Sequence, residues 1–531
     1  MVLGMRTARR TVGLITALAL AAAACSAETG GADDRLVLAE TQPLGGFNPL
    51  TGYGELGVSP LYEGLYRPEA PSDDRVPDLR PALAASAPER IAPRTWRIAL
   101  RDGVTFSDGS AFDAADVVAT YRAARDEKVA ADIATHVAPV EDVTAEGPRT
   151  VVVRTATDGE PTPYLLLGIV PSERVEARAA SAWALNREPV GTGPYRLESL
   201  ATDQAVLVAR TDRPGAQIPA VRRIVYTLVP DDNARAQRVR AGEVDGALLP
   251  PRLAASLDGR DGVRSVTVKS ADWRGVSLPA GNPFTADPAA RRAMNLGVDR
   301  AGIVSGVLAG AGEPASTPYS SVYGAAYDAG ARFAFDAGAA RRTLDDAGWA
   351  AGPDGIRTRG GDRAAFDLLY PAADSVRRDL AVAFAAAMKP LGIVVTPQGS
   401  SWDDIERRTG DAAILLGGGE TPFSIDSQGY DALHTRLPDS SPYSNPGDFT
   451  APGLDGLLDR ARELSAGPEK DGLYRQVQAA YTAQPSAVFL VHLHHTYAVR
   501  SGGWSTPAPI LEPHSHGVTW GPWWNLTAWR R

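Results

Sequence analysis

"TWRIALRDGVTFSDGSAFDAADVVATYRA", Thr95 to Ala123, carries a strand, two turns and a helix in one short run. "TWRIALR" (Thr95–Arg101) alternates apolar and polar residues, the period of a half-buried strand. Asp102-Gly103 and Asp108-Gly109 are turn dipeptides on either side of another short extended piece. Asp113 then stands before an apolar-periodic run, with Asp116 three residues on. That is an acidic form of the capping box, and it predicts a helix start. Val117, Val118, Tyr121 and Ala124 would line one face of the helix. Strand followed directly by helix points to a mixed α/β chain.

The same alternation of elements extends outward. "RLVLAE" (Arg35–Glu40) reads as a strand, while Leu454, Leu457, Leu458, Ala461 and Leu464 fall at helical spacing. A helix beginning near Lys470 should be closed by Pro485. No short-period repeat or low-complexity tract interrupts the chain. At 531 residues it exceeds one hydrophobic core, so two or three lobes are expected. The net charge of −9 argues against nucleic acid as a partner and against a basic membrane-docking face.

The N-terminus carries a different signal. Arg6, Arg9 and Arg10 precede a nearly unbroken apolar run, Val12 to Ala24, which is too short to span a bilayer. It ends at Cys25, the only cysteine in the chain. One cysteine has no disulfide partner and cannot build a thiolate metal site. A small-residue cleavage site followed by cysteine resembles a bacterial lipobox, with Ala22 where such motifs usually carry leucine. Residues 1–24 are expected to be a signal peptide, Cys25 the lipidated residue, and 25–34 a flexible tether.

Several further blocks occur in order: "PDLRPALAAS" (Pro77–Ser86), "VGTGPYRLESL" (Val190–Leu200), "RAGEVDGALL" (Arg240–Leu249), "DPAARRAMNLGVDRAGIVSGVLAG" (Asp287–Gly310) and "AARRTLDDAGW" (Ala339–Trp349). Together with the opening stretch they resemble the extracytoplasmic solute-binding proteins of peptide and nickel ABC importers, solute-binding protein family 5. The resemblance implies an α/β, two-lobed periplasmic-binding-protein-like fold with a hinge and an extra domain inserted in lobe I. By position, lobe I takes 35–65, 187–272 and 490–531, the extra domain 66–186, and lobe II 273–489. It also implies a monomer that closes over a ligand at the outer face of the cytoplasmic membrane and docks on a permease driven by a cytoplasmic ATPase. No cofactor is implied. The quoted blocks themselves read as structural, being turns and helix-borne charges.

In peptide-binding relatives an aspartate in a "Gly-Trp-x-x-Asp" stretch pairs with the ligand's amino terminus. The corresponding region here is "LLGGGETPFSIDSQGYDALHT" (Leu415–Thr435), in which Gly418 replaces the tryptophan and Thr421 falls near the aspartate position. The resemblance makes this a cleft-facing loop, with Asp426 or Glu420 supplying the carboxylate. Gly418 and Gly419 would let the backbone approach a ligand. Trp273, near the lobe crossover, is the candidate aromatic.

Histidines suggest a second ligand class, a nickel or other metal chelate. His492 and His494 share one face of a predicted strand, and His514, His516 and Glu512 follow. The commoner reading is structural, and no metal site is assigned. Trp520, Trp523, Trp524 and Trp529 are expected to pack the C-terminus onto its lobe. Walker A, HExxH and GxSxG patterns are absent, which argues against the enzymes that use them. The leading expectation is capture of short peptides for import; the alternatives are a metal chelate and a regulatory or scaffolding lipoprotein without transport.

Overall fold

The computed structural model describes residues 34–69, 72–438, 440–500, 502–514 and 517–531. Cys25 and His516 lie outside them. The alternation in Arg35–Glu40 does what such a pattern demands: Leu36 and Leu38 enter one core while Ala39 enters another on the opposite face. This strand sits in the middle of a seven-stranded sheet. The order is Val263–Val268, His495–Arg500, Gly246–Leu248, Arg35–Glu40, Arg223–Leu228, Gln204–Ala209 and Tyr195–Leu200. Arg35–Glu40 is parallel to both neighbours. This sheet defines lobe I.

Between Glu40 and Tyr195 the chain leaves this sheet and builds an antiparallel one from Glu89–Ala92, Thr95–Ala99, Thr150–Thr155 and Val140–Ala145. Helix Ala114–Arg125 packs on it, and its capping box is formed as expected: Asp113 accepts from Ala115 N, and Asp116 accepts from Asp113 N. Val117, Tyr121 and Ala124 are buried. They share a single core with Ile98, Val153, Leu38 and the terminal Trp520, Trp523, Trp524 and Trp529. Buried Arg210 fastens two of the sequence blocks together by donating to the carbonyls of Thr105, Phe106 and Gly191.

Lobe II is built on a six-stranded sheet in the order Gly312–Pro314, Ala487–Leu493, Trp273–Ser277, Ala413–Gly418, Ala365–Pro371 and Val394–Ser400. Its last three strands are parallel where they pair. Both faces are covered: Ala413 and Leu415 point to one core, Ile414 and Leu416 to the other. The near-continuous apolar run of this strand follows from that double burial.

The two sheets are joined by neighbouring crossovers. Residues 269–272 link Val263–Val268 to Trp273–Ser277, and residue 494 links Ala487–Leu493 to His495–Arg500. They are tied by Leu493 N donating to Asp272 O at 2.7 Å, and a third segment joins through Ala271 N to Glu512 O at 2.8 Å.

Candidate functional site

In open sheets with parallel strands, ligands collect beyond the strands' carboxyl ends. Here those ends face each other. In lobe I they lead into Thr41–Gln42, Pro230–Asp232 and Leu249–Pro251; in lobe II they lead into Ala373–Arg377 and Trp402. These segments enclose a cavity of about 390 Å³ between the lobes. The neighbouring strand end, Gly417–Thr421, opens onto another of about 260 Å³, closed on its far side by Thr135 and His136. Trp402 borders the larger cavity and Tyr443 the smaller, and their rings meet edge-on at 5.5 Å.

Trp273, Gly418, Gly419, Glu420 and Thr421 all line the smaller cavity. Trp273 is 8% exposed, pairs with Gly418 in the sheet and meets Phe489 edge-on at 4.9 Å. A Cβ on Gly418 would overlap the Trp273 indole, and one on Gly417 would overlap the His514 ring. Gly417 and Gly418 therefore leave room for side chains of this protein, and Gly419 for the Ala271 carbonyl.

Asp426 is a correction. Its segment is not a loop: Ile425–Leu433 is a helix, and Asp426 in its first turn points into lobe II. There it accepts from Lys470 Nζ at 2.7 Å and from the Tyr474 hydroxyl, and it is 8% exposed. Its charge is taken up inside the lobe, and it does not line the cavity. Asp431, further along the same helix, does line it and is exposed to it. Desolvation by the cleft walls raises its carboxyl above the ordinary range, against the pull of Arg462, His136 and His434.

Facing these carboxylates is His136, on the short helix Ala134–Val137. Burial works against its charge. The Glu55 carboxylate at 2.8 Å, helped by the fields of Glu420 and Asp431, outweighs that and raises its pKa. The smaller cavity is thus acidic, with one imidazole held toward its protonated form.

The larger cavity is cationic on its lobe II side. Arg274 donates to Asp272 at 2.6 Å, leaving Nε and Nη1 without acceptors among the described residues. Arg377 binds Asp374 at 2.8 Å and His514 at 3.2 Å, leaving Nε without one. Asp272 is fully buried at the crossover. Burial alone would raise its carboxyl, but Arg274, His514 and His495 hold it well below the ordinary carboxylate range. His495 bridges Asp272 at 3.2 Å and Glu512 at 2.6 Å, and those carboxylates raise its pKa against burial.

Among the described residues, His492, His494 and His514 are not brought together as a chelate. His492 lies inside a buried strand, one residue before its end, its pKa lowered to about 4 by burial. His494 lies past the strand end, 3.7 Å from Glu313. His514 joins Asp272 and Arg377 instead. Among the described residues no cluster of three or more His, Cys, Asp or Glu is arranged to hold a metal ion. Sequence reasoning missed His136, Asp431, Arg274 and Arg377. A search of residues just past each strand's carboxyl end would have reached Arg377.

Facing parallel-strand ends, side-by-side crossovers and a cleft between sheets define a two-lobed binding protein. The chain belongs to the bacterial extracellular solute-binding proteins, family 5, whose profile matches residues 78–435. It is an extracytoplasmic solute-binding protein rather than an enzyme. Protein XP55 of Streptomyces lividans is 36% identical over 502 residues, covering 92% of this chain and 90% of that one. Two solved structures share the fold. NikZ from Campylobacter jejuni, in complex with Ni(L-His), has a TM-score of 0.81 at 21% identity, covering 94% of this chain and all of that one. AppA from Bacillus subtilis, in complex with a nonapeptide, has a TM-score of 0.76 at 21% identity, covering 93% and 98%. No helix among the described residues is long and apolar enough to cross a membrane.

Proposed function

We propose that this protein captures short peptides outside the membrane and delivers them to an ABC permease. The observation that carries this reading is the polarity of the cleft. Glu420 and Asp431 stand in one cavity, while the guanidinium charges of Arg274 and Arg377 stand at the next. A peptide zwitterion has the complementary pair of charges, and it would exploit both in a space where water is scarce. A metal chelate would call on the cleft imidazoles, His136 in the smaller cavity or His494 and His514 in the larger. The raised pKa of His136 disfavours that role, because a metal binds the neutral ring, and His514 is engaged by Asp272 and Arg377.

The test is calorimetric titration with a co-purified peptide and with its N-acetylated form. Asp431→Asn combined with Glu420→Gln should weaken the free peptide by roughly thirtyfold or more, the cost of unpairing a buried charge. Acetylation should cost the wild type a similar factor. Indifference to both would remove the amine anchor, and tight binding of nickel with histidine in place of the peptide would favour the chelate. Attachment to the membrane is proposed to run through lipid on Cys25. Labelled palmitate should enter the wild type and not Cys25→Ser.

A further inference from the structure

A cavity of about 330 Å³ lies inside lobe I and shares no lining residue with either cleft cavity. One wall is the C-terminal segment, where Trp523 and Trp524 form a surface that the inter-lobe cleft does not use. Tyr226 and Tyr195 also line it. Aromatic walls of this kind take flat apolar bodies.

The charge balance of the lining is unlike that of the chain. Against a net −9 for the whole protein, it holds Arg67, Arg213 and Arg530 with Glu63 as the only acidic residue. Glu63 is already spent on Arg213, at 2.8 Å. Arg530 sits at the rim, donating to the Thr527 and Trp529 carbonyls and to Gln217. Arg67 remains. It is half-buried, and Glu63 and Glu69 act on it only through space. Among the described residues its guanidinium has no ion pair or hydrogen bond. Its nitrogens keep accessible surface at the cavity, and partial burial depresses its pKa. Tyr226 Oη and Trp523 Nε1 also lack partners among the described residues, but both atoms are sealed from the cavity, so the donor it offers is Arg67. An unspent guanidinium at a cavity calls for an acceptor.

We propose that this cavity is a second binding site, for a small aromatic carboxylate whose anion is received by Arg67 and whose ring lies against Trp523 and Trp524. A guanidinium suits this ligand because its planar fork matches a carboxylate and its face tolerates aromatic neighbours. The site is independent of the peptide cleft, so either can fail without the other.

Benzoate is the probe, titrated calorimetrically into the full chain, with benzyl alcohol and sulfate as controls. Benzoate should saturate one site and both controls should bind much more weakly. Arg67→Gln should weaken benzoate by roughly tenfold or more, the effect of losing a charge-assisted hydrogen bond. Arg377→Gln, in the cleft, should leave it unchanged. If Arg67→Gln melts early, Ala216→Trp decides: Ala216 is exposed at the cavity lining, and an indole there should block entry. Binding that survives Arg67→Gln in a folded protein, or survives Ala216→Trp, overturns the proposal. So does binding lost in Arg377→Gln or equalled by sulfate.

Discussion

Asp426 and Asp431 occupy one nine-residue helix and have opposite fates. Asp426 faces the interior of lobe II, where Lys470 and Tyr474 consume its charge. Asp431 faces the cleft, where partial desolvation by the walls outweighs the fields of Arg462, His136 and His434, so its carboxyl holds a proton more tightly than usual. Five residues of helix rotate a side chain by about 140°, enough to change compartments. A carboxylate near the right place in sequence is therefore not yet a carboxylate in the right place. What separates the structural from the available one is whether a cation was built within hydrogen-bond reach of it.

The sharpest way to break this comparison is Asp426→Asn. Lys470 and Asp426 have side chains only 10% and 11% exposed, so the substitution strands a buried ammonium. About 3–5 kcal/mol of stability should be lost, as when other buried pairs are broken. Chemical denaturation measures it, and a loss below about 1 kcal/mol would mean Asp426 is not the structural member of the two.

A smaller effect is expected on the cleft wall. Gly418→Ala places a methyl against the Trp273 indole, and overpacking of this kind costs about 1–3 kcal/mol. Tryptophan fluorescence should shift with it, since Trp273 must move toward the cavity. An unchanged melting temperature and spectrum would show that the wall yields freely.

Asp431→Asn should be nearly silent, with a sign opposite to that of Asp426→Asn. A carboxyl raised in the folded state favours folding only while protonated, and that advantage disappears as pH climbs through its folded value. The variant should therefore gain slightly on the wild type from about pH 4 toward pH 7. Melting curves across that range check it, and a variant that loses ground as pH rises would reverse the assignment.

The local elements were legible because their causes are local. Alternation placed Arg35–Glu40, and the Asp113–Asp116 pair placed the helix start at Ala114. Helical spacing of leucines found Pro452–Glu463. The cleft was only half legible. Trp273, Gly418, Gly419, Glu420 and Thr421 come from two strands that pair directly, so one family motif and one aromatic sufficed to find them. His136, Asp431 and Arg377 come from separate parts of the chain, and no spacing within any of them records the others. Asp426 was misread for the same reason: its partner lies 44 residues away. His492 and His494 show the limit of period two, because the strand stops at Leu493 before the second histidine is reached.

The crossovers at 269–272 and 494 lie side by side, with the segment around Glu512 strapped to the first. Mechanically, adjacent straps behave like a flat belt between two plates. Bending the belt lengthens neither strap, whereas twisting it must stretch one and slacken the other. The buried ions around Asp272 stiffen the belt against that twist, since Asp272 is gripped by His495 from the second crossover and by His514 from the segment beyond Glu512. A joint of this form leaves the lobes one soft coordinate, so a ligand pulling on either cavity is expected to draw both shut along the same arc.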